Sequence, residues 1–156
     1  MTIEEVSKIV KQFIGEPIKK FRIERNIFQE EKGRKLFNKK IRENTLQKPG
    51  VYIWVNTKNE DIIYFGMAGK INTDGSKCNH TIRKRLLASR GKDKKNKKEI
   101  QTNDFIHKVM VDNEIDSLDM YIIYSKNSEP PAYIEALLLY KYYKKYSRLP
   151  KLNNSF

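Results

Sequence analysis

The sequence predicts an α+β protein, a small three-stranded antiparallel sheet flanked by helices and preceded by a helical N-terminal extension. Three observations predict it. Two β-branched and aromatic runs, residues 51–56 and 61–65, lie on either side of a short polar turn, which is the pattern of a hairpin. A third run, "SLDMYIIYS" from Ser117, alternates like another strand. Between and beyond these runs the apolar residues recur at helical spacing, as in helices that lay one face on a sheet.

The elements follow in order. Thr2 N-caps a first helix and Glu5 completes a capping box, with Ile3, Val6, Ile9, Val10 and Phe13 as the apolar stripe. Gly15 and Pro17 end it. Residues 18–47 are basic, mixed in pattern and interrupted by Gly33; they read as one or two short helices. Pro49 marks the next boundary, so residues 1–48 form the helical extension and residues 49–156 the main domain, in one compact unit overall. The loop over 66–79 holds Gly69, Gly75 and turn-forming Asn and Asp residues, and a helix follows at 81–89. The segment "TNDFIHKVMVDN" suits a helix capped by Thr102 or Asn103. Ser128, Pro130 and Pro131 open a long helix through residue 146, and "RLPKLNNSF" leaves it as an extended tail.

Composition narrows the function. A chain of 156 residues, 38% hydrophobic and 33% charged, is long enough for one domain with a real core. No apolar run approaches the roughly 20 residues needed to cross a bilayer, and the acidic, amphipathic start is no secretory signal. The expectation is a cytoplasmic protein without a membrane partner. Cys78, His80 and His107 have the wrong number and spacing for structural zinc. Lys and Arg total 32 against 19 acids, a formal charge of +13, which favours a polyanionic partner and nucleic acid first. The competing reading is a merely solvated lysine-rich surface. Clustering argues against it: in "RGKDKKNKKE", residues 90–99, Asp93 is the one acid inside a dense basic run. Arg90, Lys92, Lys94, Lys95, Lys97 and Lys98 there, with Arg83 and Lys84 on the preceding helix, are the expected nucleic-acid contacts on a flexible phosphate-binding loop.

The hairpin "PGVYIWVNTKNEDIIYFGMAGK" carries a tyrosine beside a glycine on each strand. Strand side chains alternate faces, so Tyr52 and Tyr64 share a face only with an odd loop. A three-residue loop, residues 57–59, sets Tyr52 opposite Tyr64 and puts Asn59 at the left-handed position. A two-residue loop, Lys58 and Asn59, pairs Tyr52 with Phe65 and separates the phenols. The glycines before Lys70 are too close together for a nucleotide P-loop, and no Ser or Thr follows that lysine.

The order Gly50-Val51-Tyr52, then Tyr64-Phe65-Gly66, then a helix with Arg85, then Glu135 inside a helix, then Pro150-x-Leu152-Asn153 resembles the GIY-YIG nuclease superfamily over roughly residues 49–154. The resemblance implies a metal-dependent endonuclease acting on DNA phosphodiesters. It assigns Tyr52 to the attacking water, as base or to position it, and Tyr64 to the second motif tyrosine. Arg85 in "IRKRLL" becomes the helix arginine, whose planar fork suits the scissile phosphate. Glu135 becomes the protein ligand of Mg²⁺ or Mn²⁺, an ion that otherwise keeps its waters. Lys70 lies where some restriction-type members place a lysine beside the first tyrosine, and an ammonium there would depress the phenol's pKa. Asn153 would hold the phosphate or the frame of the site, with Asn154 as an adjacent rival. Where many members carry a helix histidine, this chain has Ser89. Two alternatives stand beside the nuclease: a catalytically inactive nucleic-acid-binding module on the same fold, and a structured RNA-binding protein. Double-strand cleavage would imply a homodimer or two successive nicks.

Overall fold

In the computed structural model, which describes residues 1–76, 78–92 and 97–155, the first helix, α1 (Ile3–Val10), begins as its sequence dictates. The Thr2 hydroxyl accepts the Glu5 N–H and the Glu5 carboxylate accepts the Thr2 N–H, so two of the orphan donors at the helix start are satisfied. The next segment departs from expectation. Residues Lys19–Glu24 form a strand, β1, followed by a short 3₁₀ turn over Arg25–Phe28 and the helix α2 (Gly33–Asn44). Only Phe21 and Ile23 of β1 are buried, alternating with exposed charged residues. Two apolar residues in six are a weak signal inside a basic stretch, and pairing, not composition, makes the strand.

The remaining elements are β2 (Gly50–Asn56), β3 (Ile62–Ala68), α3 (Ile82–Leu87), β4 (Ser89–Lys92), β5 (Glu99–Gln101), α4 (Thr102–Asp112), β6 (Ser117–Tyr124) and α5 (Pro131–Tyr146). The main sheet is four-stranded, in the order β1-β6-β2-β3, and every pairing is antiparallel. The expected three strands are present, and β1 adds an edge beside β6, with Arg22 facing Asp119 and Phe21 facing Met120. Within residues 1–48, α1 and α2 are helices as expected, and β1 joins the segment to the sheet. A second, two-stranded sheet pairs β4 with β5; of the flexible loop expected over residues 90–99, residues 93–96 lie outside the described residues. The α4 cap also differs: Thr102 is the first helical residue, and its hydroxyl donates to the Ala88 carbonyl at 2.7 Å.

Helices cover both faces of the sheet. On one, Phe37 and Ile41 of α2, Ile82 and Leu86 of α3, and Ile106 and Met110 of α4 pack with Tyr52, Trp54, Met120 and Ile122. On the other, Val6 and Val10 of α1 and Ile134, Leu138 and Leu139 of α5 pack with Val51, Ile53, Phe65 and Ile123. The strands β2 and β6 are buried along nearly their whole length for this reason. At roughly 1.5–3 kcal/mol per buried aliphatic side chain, these layers outweigh any surface ion pair, worth about 0–1 kcal/mol. Among the described residues no helix is long and apolar enough to cross a membrane.

The hairpin follows neither anticipated loop. Asn56 donates to the Asp61 carbonyl at 2.9 Å, and Glu60, not Asn59, is left-handed with φ 58°. Val55 faces Ile62, whereas Trp54 faces Tyr64, so Ile63 is an extra residue in β3. Without that bulge the register set at the turn would carry Tyr52 opposite Phe65 and send the two phenols to opposite faces. With it, Tyr52 faces Gly66 and Trp54 faces Tyr64, which returns both tyrosines to one face.

Asp119 is the one buried acid of β6, 5% exposed. Burial alone would raise its carboxyl pKa, but Arg22 at 2.8 Å and Lys20 at 2.7 Å overcome this and hold it below the ordinary 3.8. A depressed native pKa means that the contribution of Asp119 to stability is complete above its unfolded value and is lost as pH falls through the native one. Asp119→Asn should cost on the order of 1–3 kcal/mol at pH 7, the range for hydrogen bonds to charged groups. Urea unfolding at pH 7 and at pH 3 should show the gap between variant and parent narrowing at the lower pH.

Candidate functional site

The site is built where β2, β3, α3 and α5 meet. Tyr52 is 1% exposed and lies between Gly66 of β3 and Ile122 of β6. Gly66 answers for itself: a β-carbon there would sit 2.5 Å from Tyr52 Cζ, 2.7 Å from its hydroxyl and 2.6 Å from Tyr64 Cε1. The phenol of Tyr52 therefore lies across a strand position that only glycine leaves open. Its ring is 6.0 Å from that of Tyr64 and 6.4 Å from that of Trp54.

Tyr64 is not free to turn. Its ring packs 4.8 Å from Trp54, and its hydroxyl accepts from the Arg90 guanidinium at 3.3 Å. Arg90 stands over Phe105 at 4.2 Å, Tyr64 at 5.5 Å and Trp54 at 5.8 Å. An arginine stacked on three rings, in the cation–π range, ties the start of the basic segment to the aromatic framework. Arg83 donates to the carbonyls of Arg42 and Thr45 and caps the end of α2. The rest of the basic group remains on the surface. Lys84 is exposed and reaches the Asn79 carbonyl at 3.2 Å, and Lys92, Lys97 and Lys98 are exposed. Lys94 and Lys95 lie outside the described residues.

Arg85 is the link. It is exposed on α3 and lines a cleft of about 350 Å³ with Met67, Ala68, Gly69, Lys70 and His80. Its guanidinium acts on both Tyr52 and Glu135, drawing each toward its charged form. Neither group yields. Burial raises the Tyr52 phenol pKa well above 10, the neighbouring Tyr64 phenol adds to this, and Arg90 and Arg85 only partly offset it. The depressed phenol expected from Lys70 is thus not found. Lys70 lines the cleft, but the cations bearing most strongly on Tyr52 are the two arginines.

Glu135 lies half-buried on α5, and burial pushes its carboxyl pKa up to about 7 against the pull of Arg85. It makes no hydrogen bond and no close ion pair among the described residues. An ionised carboxylate in that position is costly, and a divalent cation would offset the cost. One hard oxygen donor suits Mg²⁺, which keeps several waters and needs no all-protein cage. No group of three His, Cys, Asp or Glu residues among the described residues offers such a cage.

Asn153 has a structural task. Its amide accepts the Phe65 N–H at 2.9 Å and donates to the Phe65 carbonyl at 2.8 Å, pairing β3 as a neighbouring strand would. Leu152 adds an N–H bond to the Ile63 carbonyl at 3.0 Å, so the C-terminal segment clamps the bulge. Of the two asparagines it is Asn153 that holds the frame; Asn154 is exposed. Ser89 engages its own turn, exchanging hydrogen bonds with Gly91. Sequence reasoning overlooked His80 at the cleft and the aromatic setting of Arg90; Trp54, Tyr64 and Phe105 come from β2, β3 and α4, so no local pattern announced them.

Compared with protein-family models, with curated proteins and with solved structures, the chain finds no match.

The opposed forces on Glu135 give a measurable consequence. Arg85 lowers a pKa that burial raises, so Arg85→Met should move the Glu135 carboxyl above about 7. In the metal-free protein, carbon-13 NMR titration of the glutamate carboxyls should show a resonance titrating near pH 7 that disappears in Glu135→Gln and shifts upward in Arg85→Met. A downward shift in Arg85→Met would separate Arg85 from Glu135.

Proposed function

We propose that the protein is a metal-dependent DNA endonuclease of the GIY-YIG type. The observation that carries the reading is Arg85 acting at once on the Tyr52 phenol and the Glu135 carboxylate beside one open cleft. Arg85 of α3 lines that cleft, and Tyr52, Arg85 and Glu135 stand in the chain order that the sequence motif requires. The formal charge of +13 supplies the attraction to a polyanion.

Each residue has a part. Arg85 takes two oxygens of the scissile phosphate through its planar fork and neutralises charge that builds up on them. Tyr52, keeping its proton, donates a hydrogen bond and positions the attacking water or a phosphate oxygen. Tyr64, fixed by Arg90, sets the wall against which Tyr52 is held. Lys70 adds a second cation to the cleft. Glu135 would hold Mg²⁺ or Mn²⁺, which when bound supplies charge stabilisation at the leaving oxygen. Asn153 keeps β3 in register beneath all of them. One such site cuts one strand, so a double-strand break takes two copies or two successive nicks.

Incubation of the protein with supercoiled plasmid and Mg²⁺, followed by mapping of the ends, tests this. Glu135→Gln keeps the shape and deletes the charge, and cutting should fall by on the order of 10²–10³-fold while binding to a labelled duplex survives. Binding without cutting in the parent protein would favour the inactive nucleic-acid-binding module, and cutting at the parental rate in Glu135→Gln would remove the metal assignment.

The surface lysines carry a separate expectation. Replacing Lys92 and Lys97 by Gln should weaken binding to unrelated sequences alike and flatten the slope of log K against log salt by up to about 0.9 for each phosphate no longer neutralised. An unchanged slope would make them solvated bystanders.

A further inference from the structure

We infer that His80 is the general base of the proposed hydrolysis, the group that takes a proton from the attacking water. The inference rests on the nuclease reading and completes it. The chain has two histidines. His107 on α4 stacks on Phe28 with ring centroids 5.0 Å apart, whereas His80 is exposed and lines the same cleft as Lys70 and Arg85.

Its placement is fixed from both sides. The His80 N–H donates to the Cys78 carbonyl at 2.8 Å, and the His80 carbonyl oxygen lies over Gly69, 3.5 Å from where a β-carbon would stand. On the other side Thr81 caps α3 by accepting the Lys84 N–H, and Lys84 Nζ holds the Asn79 carbonyl. The charged side chains that line the cleft with it are Lys70 and Arg85, both cations, and Lys84 of α3 reaches the neighbouring Asn79 carbonyl. Cys78 precedes it by two residues, and Cys78, Lys70 and Glu129 line the adjoining hollow.

Other candidates for the proton are occupied. Burial keeps the Tyr52 phenol protonated near neutrality, which suits a donor and disqualifies a base. Ser89 is turned back on Gly91, and Glu135 is assigned to the cation. Histidine is the side chain that both takes and gives a proton near neutral pH. In the step proposed, the water oxygen bonds to phosphorus as its proton passes to the unprotonated imidazole nitrogen. The bond from phosphorus to the leaving oxygen breaks, and its electron pair stays on that oxygen, which takes a proton from solvent. His80 then returns its proton to solvent, and nothing is oxidised or reduced.

The experiment measures single-turnover plasmid cleavage at saturating Mg²⁺ for the full chain, His80→Ala and His80→Gln, with and without added imidazole. Both variants should cut on the order of 10²–10⁴-fold more slowly, the usual range for a general base. Imidazole should restore the Ala variant, the restored rate should follow the concentration of unprotonated imidazole, and substituted imidazoles should rank by basicity. Cleavage by His80→Ala at the parental rate, or a loss that no imidazole restores, overturns the inference and leaves the nuclease reading intact. A parent protein that cuts no DNA, alongside an equally silent Glu135→Gln, overturns both.

Discussion

The extra residue at Ile63 is the constraint on which the rest of the site depends. The turn after Asn56 sets a register that would point Tyr52 and Tyr64 to opposite faces, and one bulged residue reverses the parity before the strand reaches them. Everything at the site uses that reversal. Gly66 arrives under the Tyr52 ring, where any β-carbon would collide. Tyr64 arrives beside Trp54, where Arg90 can reach its hydroxyl. A bulge weakens the ladder locally, and here the C-terminal segment pairs with the open edge of β3: Leu152 bonds to Ile63 and the Asn153 amide pairs with both polar groups of Phe65. The last residues of the chain thus enforce the geometry of its first hairpin.

Net charge and usable charge diverge in this protein. Arg22 and Lys20 are committed to Asp119, Arg83 to the end of α2, and Arg90 to a three-ring stack. Each counts toward the total of +13, and each already has a structural partner inside the protein. In the cleft stand Arg85 and Lys70, and Lys92 and Lys97 are exposed elsewhere on the surface. That distribution fits a partner held loosely by its backbone over a wide area and gripped at one point.

The sequence foretold the helices with the most accuracy, because their signals are local. The capping box of Thr2 and Glu5 and the prolines at the start of α5, Pro130 as N-cap and Pro131 as its first residue, each place a helix start within a few residues. The strands β2, β3 and β6 were legible for the same reason. Strand β1 was not, since "KKFRIE" becomes a strand only when β6 offers Asp119 to its cations and Met120 to Phe21. The bulge was equally hidden: Ile63 looks like any other residue of an apolar run, and the C-terminal segment that holds it and Phe65 lies 88 and 89 residues away along the chain. The site residues were visible as a motif order, but their protonation was not. Lys70 is next to the site in sequence, yet the arginines bear on Tyr52, and burial overrides them all.

Burial acts on the two acids of the site in one direction. Tyr52 and Glu135 are both pushed toward their neutral forms, one well above the ordinary phenol value and the other to about 7. The cleft of the free protein therefore holds its cations without a matching anion: Arg85 pulls on both acids and satisfies neither. A bound phosphate would answer Arg85, and a cation beside Glu135 would favour the ionised carboxylate that Arg85 alone cannot secure at neutral pH. The two ligands would then reinforce each other, because the charge each brings is the charge the other lacks. Under the proposed function that mutual dependence is a form of specificity. A protein with +13 on its surface meets polyanions constantly, and a site completed only by phosphate and cation together would stay idle in most such encounters.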